Sequence, residues 1–245
     1  MNKKIVGIIP ARGGSKSIPR KNIKLFAGKP LIAWAIATLK ESGVCDRVIV
    51  STDDAEIADV ARRFGAEVPF MRPAELAEDT TPTLPVLQHA IRWLKEHEGY
   101  EPDYVVLLEP TSAAKRPFHI RGVVEMIQAT GADSVFSVAE VPGVLSPYWQ
   151  LNVDAEGRVS LFTGGSIKKV IRRRQDLPKT YFRNSSIYAF RPELLFTDDP
   201  SLYGDDARAY ATDSKYALDI DTPEDWEVAE RQFKKILEEE LKHAK

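Results

Sequence analysis

Cysteine is almost absent from the chain: Cys45 is the single one in 245 residues. An intrachain disulfide is excluded, and a cysteine-based zinc site has no partners to draw on. Cys45 precedes the apolar run Val48–Ile49–Val50 and is expected to fill a buried structural position. Long apolar runs are missing too. No stretch reaches the ~18–20 residues that span a bilayer, so no membrane segment is expected. The opening Met-Asn-Lys-Lys lacks the apolar core and small-residue cleavage site of a secretory signal. The resulting expectation is a soluble protein of the reducing cytoplasm. An excess of one charge is also lacking: 34 basic residues stand against 36 acidic, a net charge of −2. No global excess of positive charge points to nucleic acid, while local clusters of cations remain open. Histidine is scarce, and His89, His97, His119 and His243 fall on helix-like stretches, where packing or surface roles are expected.

What is present is ordinary globular material, 43% hydrophobic and 29% charged. Short apolar runs alternate with amphipathic stretches. Ile5–Ile9, Arg47–Ser51, Glu67–Phe70, Tyr104–Leu108 and Ser134–Val138 read as strands. Pro30 can open a helix through Leu39, and Asp53–Asp54 can cap one that carries Ile57, Val60, Ala61 and Phe64. The spacing of Leu84, Leu87, Ile91 and Leu94 predicts a further helix, and Pro117–Gln128 another. Ser186–Phe190 and Ala217–Ile220 read as late strands, and Trp226, Ala229, Phe233, Ile236 and Leu237 as one face of a final helix. Strand and helix alternating at this period predict a doubly wound, mostly parallel α/β sheet of Rossmann-like type. Ligands of such sheets gather at the carboxyl ends of the strands, which points to the loops 10–22, 52–54 and 109–116.

Between Val141 and Phe182 the pattern breaks. Pro142, Gly143, Pro147, Gly157, Gly164 and Gly165 punctuate short segments. Leu151–Val153 and Arg158–Phe162 suggest a hairpin, and the basic tract Lys168–Arg174 follows. The reading is a core of residues 1–140 and 183–245 with an inserted arm, 141–182.

The segment that carries chemistry is Pro10-Ala-Arg-Gly-Gly-Ser-Lys-Ser-Ile-Pro-Arg-Lys-Asn22. It follows the first strand directly and holds Gly13, Gly14 and Ser15 among the cations Arg12, Lys16, Arg20 and Lys21. Glycines let amides approach a phosphate chain, and fixed cations stabilise the charge that grows as pyrophosphate departs. It is neither a P-loop nor a Gly-x-Gly-x-x-Gly fingerprint. The plain alternative is a basic surface turn. Far downstream, Asp219-Ile-Asp221 places two carboxylates two residues apart at a predicted strand end, facing one side. Oxygen ligands of this kind suit Mg²⁺ or Mn²⁺. Asp-x-Asp alone is also a common turn or cap, and Asp221 before Thr222-Pro223 could cap the last helix.

The loop resembles the signature of the sugar-activating cytidylyltransferases, especially those of N-acylneuraminate and related nonulosonic acids. Arg72-Pro-Ala-Glu-Leu-Ala77 with Asp79-Thr80, Leu108-Glu-Pro-Thr-Ser112 and Asp219-Ile-Asp-Thr-Pro-Glu-Asp225 resemble further motifs of that family, in the same order. The likeness spans roughly residues 4–230. It implies an enzyme that joins CMP from CTP to the anomeric hydroxyl of a nonulosonic, sialic-type acid and releases pyrophosphate. It implies Arg12, Gly13, Gly14, Ser15, Lys21 and Asn22 at the nucleotide, with Arg12, Ser15 and Lys21 on its phosphates, and Arg72 and Thr83 at cytosine. Thr83, after Pro82, could instead cap the helix it precedes. Asp219 and Asp221 would hold the metal. Arg12, Lys21 and Asp221 would act in catalysis, with Asp221 or a metal-polarised hydroxyl receiving the acceptor proton. Glu109, Thr111, Arg174 and Tyr188 would meet the acceptor. The arm 141–182 would make a homodimer with shared active sites, Arg174 reaching the partner's sugar carboxylate.

Departures from the family pattern fall on the acceptor side. Glu109 stands where sialate-activating members commonly have glutamine, and Thr111-Ser-Ala-Ala-Lys-Arg116 replaces Thr-Ser-Pro-Leu-Arg. Asn184-Ser-Ser-Ile-Tyr188 replaces Asn-Gly-Ala-Ile-Tyr, and Tyr148 falls where some members have lysine. Two other readings stand beside this one. The first is a nucleotidyltransferase using another NTP or a sugar phosphate. The second is a nonenzymatic nucleotide sensor on the same scaffold, which would not need the aspartate pair. A nucleic-acid binder using Lys168–Arg174 lacks a stacking platform.

Overall fold

The structure, a computed structural model, describes residues 3–243. The chain begins with β1 (Ile5–Pro10), a small antiparallel pair β2 (Leu25–Phe26) and β3 (Lys29–Pro30), α1 (Leu31–Ser42) and β4 (Arg47–Ser51). It continues through α2 (Ala55–Arg63), α3 (Thr83–Glu98), β5 (Tyr104–Leu108), α4 (Pro117–Thr130) and β6 (Ser134–Glu140). The hairpin β7 (Leu151–Val153) and β8 (Val159–Leu161) precedes β9 (Tyr181–Phe190), β10 (Ala207–Thr212) and α5 (Pro223–His243). The main sheet runs β10-β6-β9-β5-β1-β4, with β9 antiparallel to both neighbours and the other pairings parallel. This is the α/β fold the alternating pattern predicts.

Side chains of β1 alternate between two cores, as the two-residue strand period requires. Ile5 and Ile9 face α1, α2 and α4, where Ile32, Ile36, Ile57, Ile120 and Val123 are buried. Val6 and Ile8 face α3 and meet Leu87, Ile91 and Leu94. Each such fully buried Leu or Ile contributes on the order of 1.5–3 kcal/mol. A third cluster packs α5 against the loop after β1: Phe26 meets Trp226 and Phe233, and Ile18 and Ile220 lie among them. That cluster brings the last helix to the first loop.

Several expectations change. Glu67–Phe70 is not a strand. Glu67 alone bridges β4, exchanging bonds with Val48 and Val50, and Pro69 removes the donor that would continue the ladder. Ala217–Ile220 is not a strand either, so Asp219 and Asp221 sit on an extended loop before α5. The edge beside β6 is taken by β10, whose Ala-Arg-Ala-Tyr-Ala-Thr sequence lacks the β-branched run that marks a buried strand. Asp221 does not cap α5. Thr222 Oγ1 accepts from the Asp225 amide while Asp225 Oδ2 accepts from the amides of Asp221 and Thr222. Thr83 opens α3 without a side-chain cap bond at that end.

β9 begins at Tyr181, earlier than the sequence suggests, and pairs Tyr181 and Phe182 with Glu140 and Ala139. Residues 141–180 therefore leave and rejoin the sheet between two adjacent strands. The pairing register of β9 with β6 shifts between Phe136 and Val138, a bulge that wraps Ser137.

Candidate active site

The sheet order reverses around β1: β4 lies on one side and β5 on the other. The crevice beyond their carboxyl ends is the expected ligand position. It receives the loop after Pro10, the turn 52–54 after β4 and Glu109 after β5. Because β9 runs the opposite way, its first residues reach the same edge.

The loop after β1 is held by its neighbours. Asn22 is buried and its amide donates to the Arg12 carbonyl at 2.9 Å. Arg20 adopts φ +56°, a left-handed conformation unusual outside glycine, and is pinned by ion pairs to Asp54 and Glu56. The Asp54 carboxylate also caps α2 through the Ile57 amide, and the Arg20 guanidinium holds its carboxyl below the usual range. Gly13 is required for space. A Cβ there would lie 2.9 Å from that of Asp54. The Gly13 amide donates to Asp53 Oδ1 at 3.0 Å, while Gly14 faces open space and the Ser15 amide bonds the Gly13 carbonyl. Arg12 and Lys16 both form ion pairs with Asp79, Arg12 Nη1 lying 2.5 Å from Oδ1.

Arg72 is the base-side candidate. Its backbone amide is fixed by the Thr52 carbonyl at 2.8 Å, and its side chain is 4% exposed. Nε and Nη2 are buried without a hydrogen-bond partner; Asp53, 3.6 Å from Nη2, is too distant for one. Burial pulls the guanidinium pKa down, Asp53 opposing it. Two orphaned donors in a fork suit a ligand offering two adjacent acceptors, as a cytosine edge does.

Across the crevice, Lys21 Nζ donates to the Ile220 carbonyl at 2.7 Å and stands 3.3 Å from Asp221 Oδ1. Ile220 is fully buried and anchors the loop, so its two aspartate neighbours project from a fixed point. Asp219 Oδ1 accepts from the Ile220 amide, and burial with the Asp221 charge raises its carboxyl. Asp219 and Asp221 line one cavity of about 480 Å³ with Thr83, Glu109, Thr111 and Tyr188. Burial raises the Glu109 carboxyl to about 7, against the pull of Arg72 and Lys21. Among the described residues, no group of three or more His, Cys, Asp and Glu side chains forms a ready cage. Two carboxylates opening on a cavity fit an ion that completes its shell with phosphate oxygens and water, as Mg²⁺ does.

Arg174 is not in that cavity. It lies in the arm, with its Nε 2.6 Å from where a Gly143 Cβ would stand. Sequence reasoning missed five lining residues, Leu84, Leu107, Arg183, Leu202 and Tyr203. It also missed the buried cluster beneath them. Lys115 Nζ meets Asn184 Oδ1 at 3.0 Å, with the amide oriented so that Thr212 Oγ1 donates to the same oxygen and its nitrogen faces Ser137 Oγ. His119 is buried and accepts from the Arg116 amide at 3.0 Å, a structural cap whose pKa falls to about 3 through burial.

Comparison with known proteins places the chain in a family. A family model described as cytidylyltransferase matches residues 6–244. CMP-N,N'-diacetyllegionaminic acid synthase of Legionella pneumophila is 35% identical over 235 residues, 93% of this chain and 95% of that protein. Pseudaminic acid cytidylyltransferase of Campylobacter jejuni is 32% identical, covering 93% and 95%. N-acylneuraminate cytidylyltransferase A of Danio rerio is 36% identical over 94% of this chain and 51% of that protein. In fold, the chain resembles CMP:2-keto-3-deoxy-manno-octonic acid synthetase, solved with CTP, at a TM-score of 0.68 and 18% identity over 95% of this chain and 99% of that one. A family match over nearly the whole length, with relatives above 30% identity along almost all of both chains, has one reading: the chain belongs to the cytidylyltransferase family.

Proposed function

We propose that the protein transfers CMP from CTP to the anomeric hydroxyl of a nonulosonic, sialic-type acid, with release of pyrophosphate. The observation that carries this reading is the Lys21–Ile220–Asp221 junction, which ties the cationic loop to the acidic pair. Arg12, Lys16 and Lys21 offset the triphosphate charge, and the Arg72 fork takes the cytosine acceptors. The acceptor oxygen attacks the α-phosphorus as the bond to the β-phosphate oxygen breaks. The hydroxyl proton passes to Asp221, and the electron pair of the broken bond leaves with pyrophosphate. A divalent ion on Asp219 and Asp221 would stabilise phosphate charge during this exchange.

The arm supports a homodimer. Val144, Leu145, Val153 and Phe162 expose apolar side chains between 58% and 70% of their area. In such a dimer Arg174 of one copy approaches the acceptor site of the other. A single cysteine with no intrachain partner agrees with a cytoplasmic setting. No helix among the described residues is long and apolar enough to cross a membrane.

The test is pyrophosphate release with each of the four NTPs against a panel of nonulosonic acids and sugar phosphates, with Mg²⁺. Turnover with CTP and a nonulosonic acid is expected. Comparable turnover with another NTP, or with sugar phosphates alone, would overturn the reading.

A further inference from the structure

An acidic acceptor meets an electrostatic problem in this cavity. Glu109, Asp219 and Asp221 all line it. Like charges gathered at one partly desolvated cavity disfavour each other. Among the described lining residues, Arg183 alone carries positive charge. We infer that Arg183, held in place by Tyr203, is the binding residue for the carboxylate of the acceptor within the same chain. The inference rests on the reading of the acceptor as an acidic sugar.

The arrangement is built rather than incidental. Arg183 is the third residue of β9, paired with Val138 beside the bulge around Ser137. Its Nη1 donates to the Tyr203 hydroxyl, and its guanidinium carbon lies 5.9 Å from the centre of the Tyr203 ring. Tyr203 is itself fixed. Its ring meets Phe136 edge-on at 5.3 Å and Tyr188 at 6.1 Å. A guanidinium carries five N–H donors, so one bond to Tyr203 leaves a face for a carboxylate fork. Holding the side chain in advance lowers the ordering cost of binding. A carboxylate beside the anomeric carbon can then point to Arg183 while the anomeric hydroxyl approaches the aspartate side. The opposite orientation would turn the anomeric hydroxyl away from Asp219 and Asp221. Arg183 thus selects for an acid and sets which way it lies.

The experiment measures steady-state kinetics of the full-length protein with CTP and the best acceptor of the panel. Arg183→Gln is expected to raise the acceptor KM by ~10–100-fold, the loss typical of a charge-assisted fork. The CTP KM should stay within about twofold, since Arg183 does not reach the cationic loop. Tyr203→Phe keeps the ring and removes the hydroxyl, and should give a smaller rise. An acceptor with its carboxylate reduced to the alcohol should lose the same factor with the unsubstituted protein and nothing further with Arg183→Gln. Thermal melting checks that the variants fold. An unchanged acceptor KM, or equal losses for acid and alcohol in both proteins, overturns the inference. So does a full loss in Arg174→Gln with none in Arg183→Gln, which assigns the carboxylate to the arm. Absence of any CMP transfer by the unsubstituted protein overturns the proposed function itself, and that outcome is seen before any variant is measured.

Discussion

Lys21 Nζ stands 3.3 Å from Asp221 Oδ1, joining residues 200 positions apart in the chain. The contact ties the first loop to the last one. Lys21 is 15% exposed, so its charge acts in a partly dry setting, where it is stronger than at a free surface. Lys21→Met should lower kcat by ~10²–10³-fold at saturating CTP, the range for removing one donor aimed at developing charge. Asp221→Asn should lose at least as much. Both are read from initial rates of pyrophosphate release. A Lys21→Met enzyme within threefold of the unsubstituted rate would place the lysine in loop packing alone.

Arg72 offers a separable effect. Its Nε and Nη2 are buried and unpartnered, so their worth depends on a ligand that supplies two acceptors. Lysine keeps the charge and loses the fork. Arg72→Lys should therefore raise the CTP KM by ~10–100-fold and leave the acceptor KM near its original value. Equal shifts in both would mean that Arg72 shapes the cavity as a whole.

Asp79 holds two cations of the first loop. It pairs with Arg12 and Lys16, two of the cations proposed for the triphosphate. Asp79→Asn should tighten CTP binding by ~3–10-fold at low ionic strength, with the gap closing as salt screens exposed charges. Calorimetric titration at two salt concentrations reads this directly. Weaker binding in the variant would show that Asp79 positions the loop.

Glu109 should make acceptor binding pH-dependent. Its carboxyl is raised to about 7, chiefly by burial. Below pH 7 it is protonated and neutral and can donate to an acceptor oxygen. Above pH 7 it joins Asp219 and Asp221 as a third anion. The acceptor KM should thus rise between about pH 6 and 8, and Glu109→Gln should flatten the profile. Stability follows the same sign. Between the ordinary value near 4.5 and about 7, the folded state holds a proton that the unfolded chain has released, so this group's contribution falls as pH rises. A profile unchanged by Glu109→Gln would assign the dependence to another group.

Much of this was legible in the sequence because it is local. The cations and glycines between Pro10 and Asn22 are contiguous, and the aspartates at 219 and 221 are two apart. That the segment before the latter is a loop and not a strand was not legible, for a physical reason. The backbone of 219–222 is satisfied by the side chains of Lys21 and Asp225 instead of a sheet partner. Arg183 and Tyr203 carry no spacing signal. A bulge in β9 and the turn before β10 bring them together, and both depend on tertiary pairing. The same holds for Lys115, which reads as one more cation in a polar loop until Asn184, Ser137 and Thr212 close around it.

Lys115 yields the last prediction. It is fully buried, and burial pushes its ammonium down to about 8. An unfolded lysine titrates near 10.4. Between these values the unfolded chain holds the proton and the folded protein has released it. The unfolded state binds more protons there, so the Lys115 contribution to stability rises with pH across that window and is constant below it. The full span corresponds to about 3 kcal/mol. Other groups oppose it. Cys45 and Tyr100 are each raised to about 12 by burial, so they favour the folded state less as pH climbs past their ordinary values. A Lys115→Met variant cancels them, because both proteins share them. Lost hydrogen bonding to Asn184 shifts the variant by an amount that does not depend on pH. Chemical denaturation of the two proteins from pH 7.5 to 9.5 should therefore show the unsubstituted protein gaining on Lys115→Met as pH rises. Parallel curves would mean that Lys115 keeps its proton in the fold, with Asn184 solvating the charge well enough to offset burial.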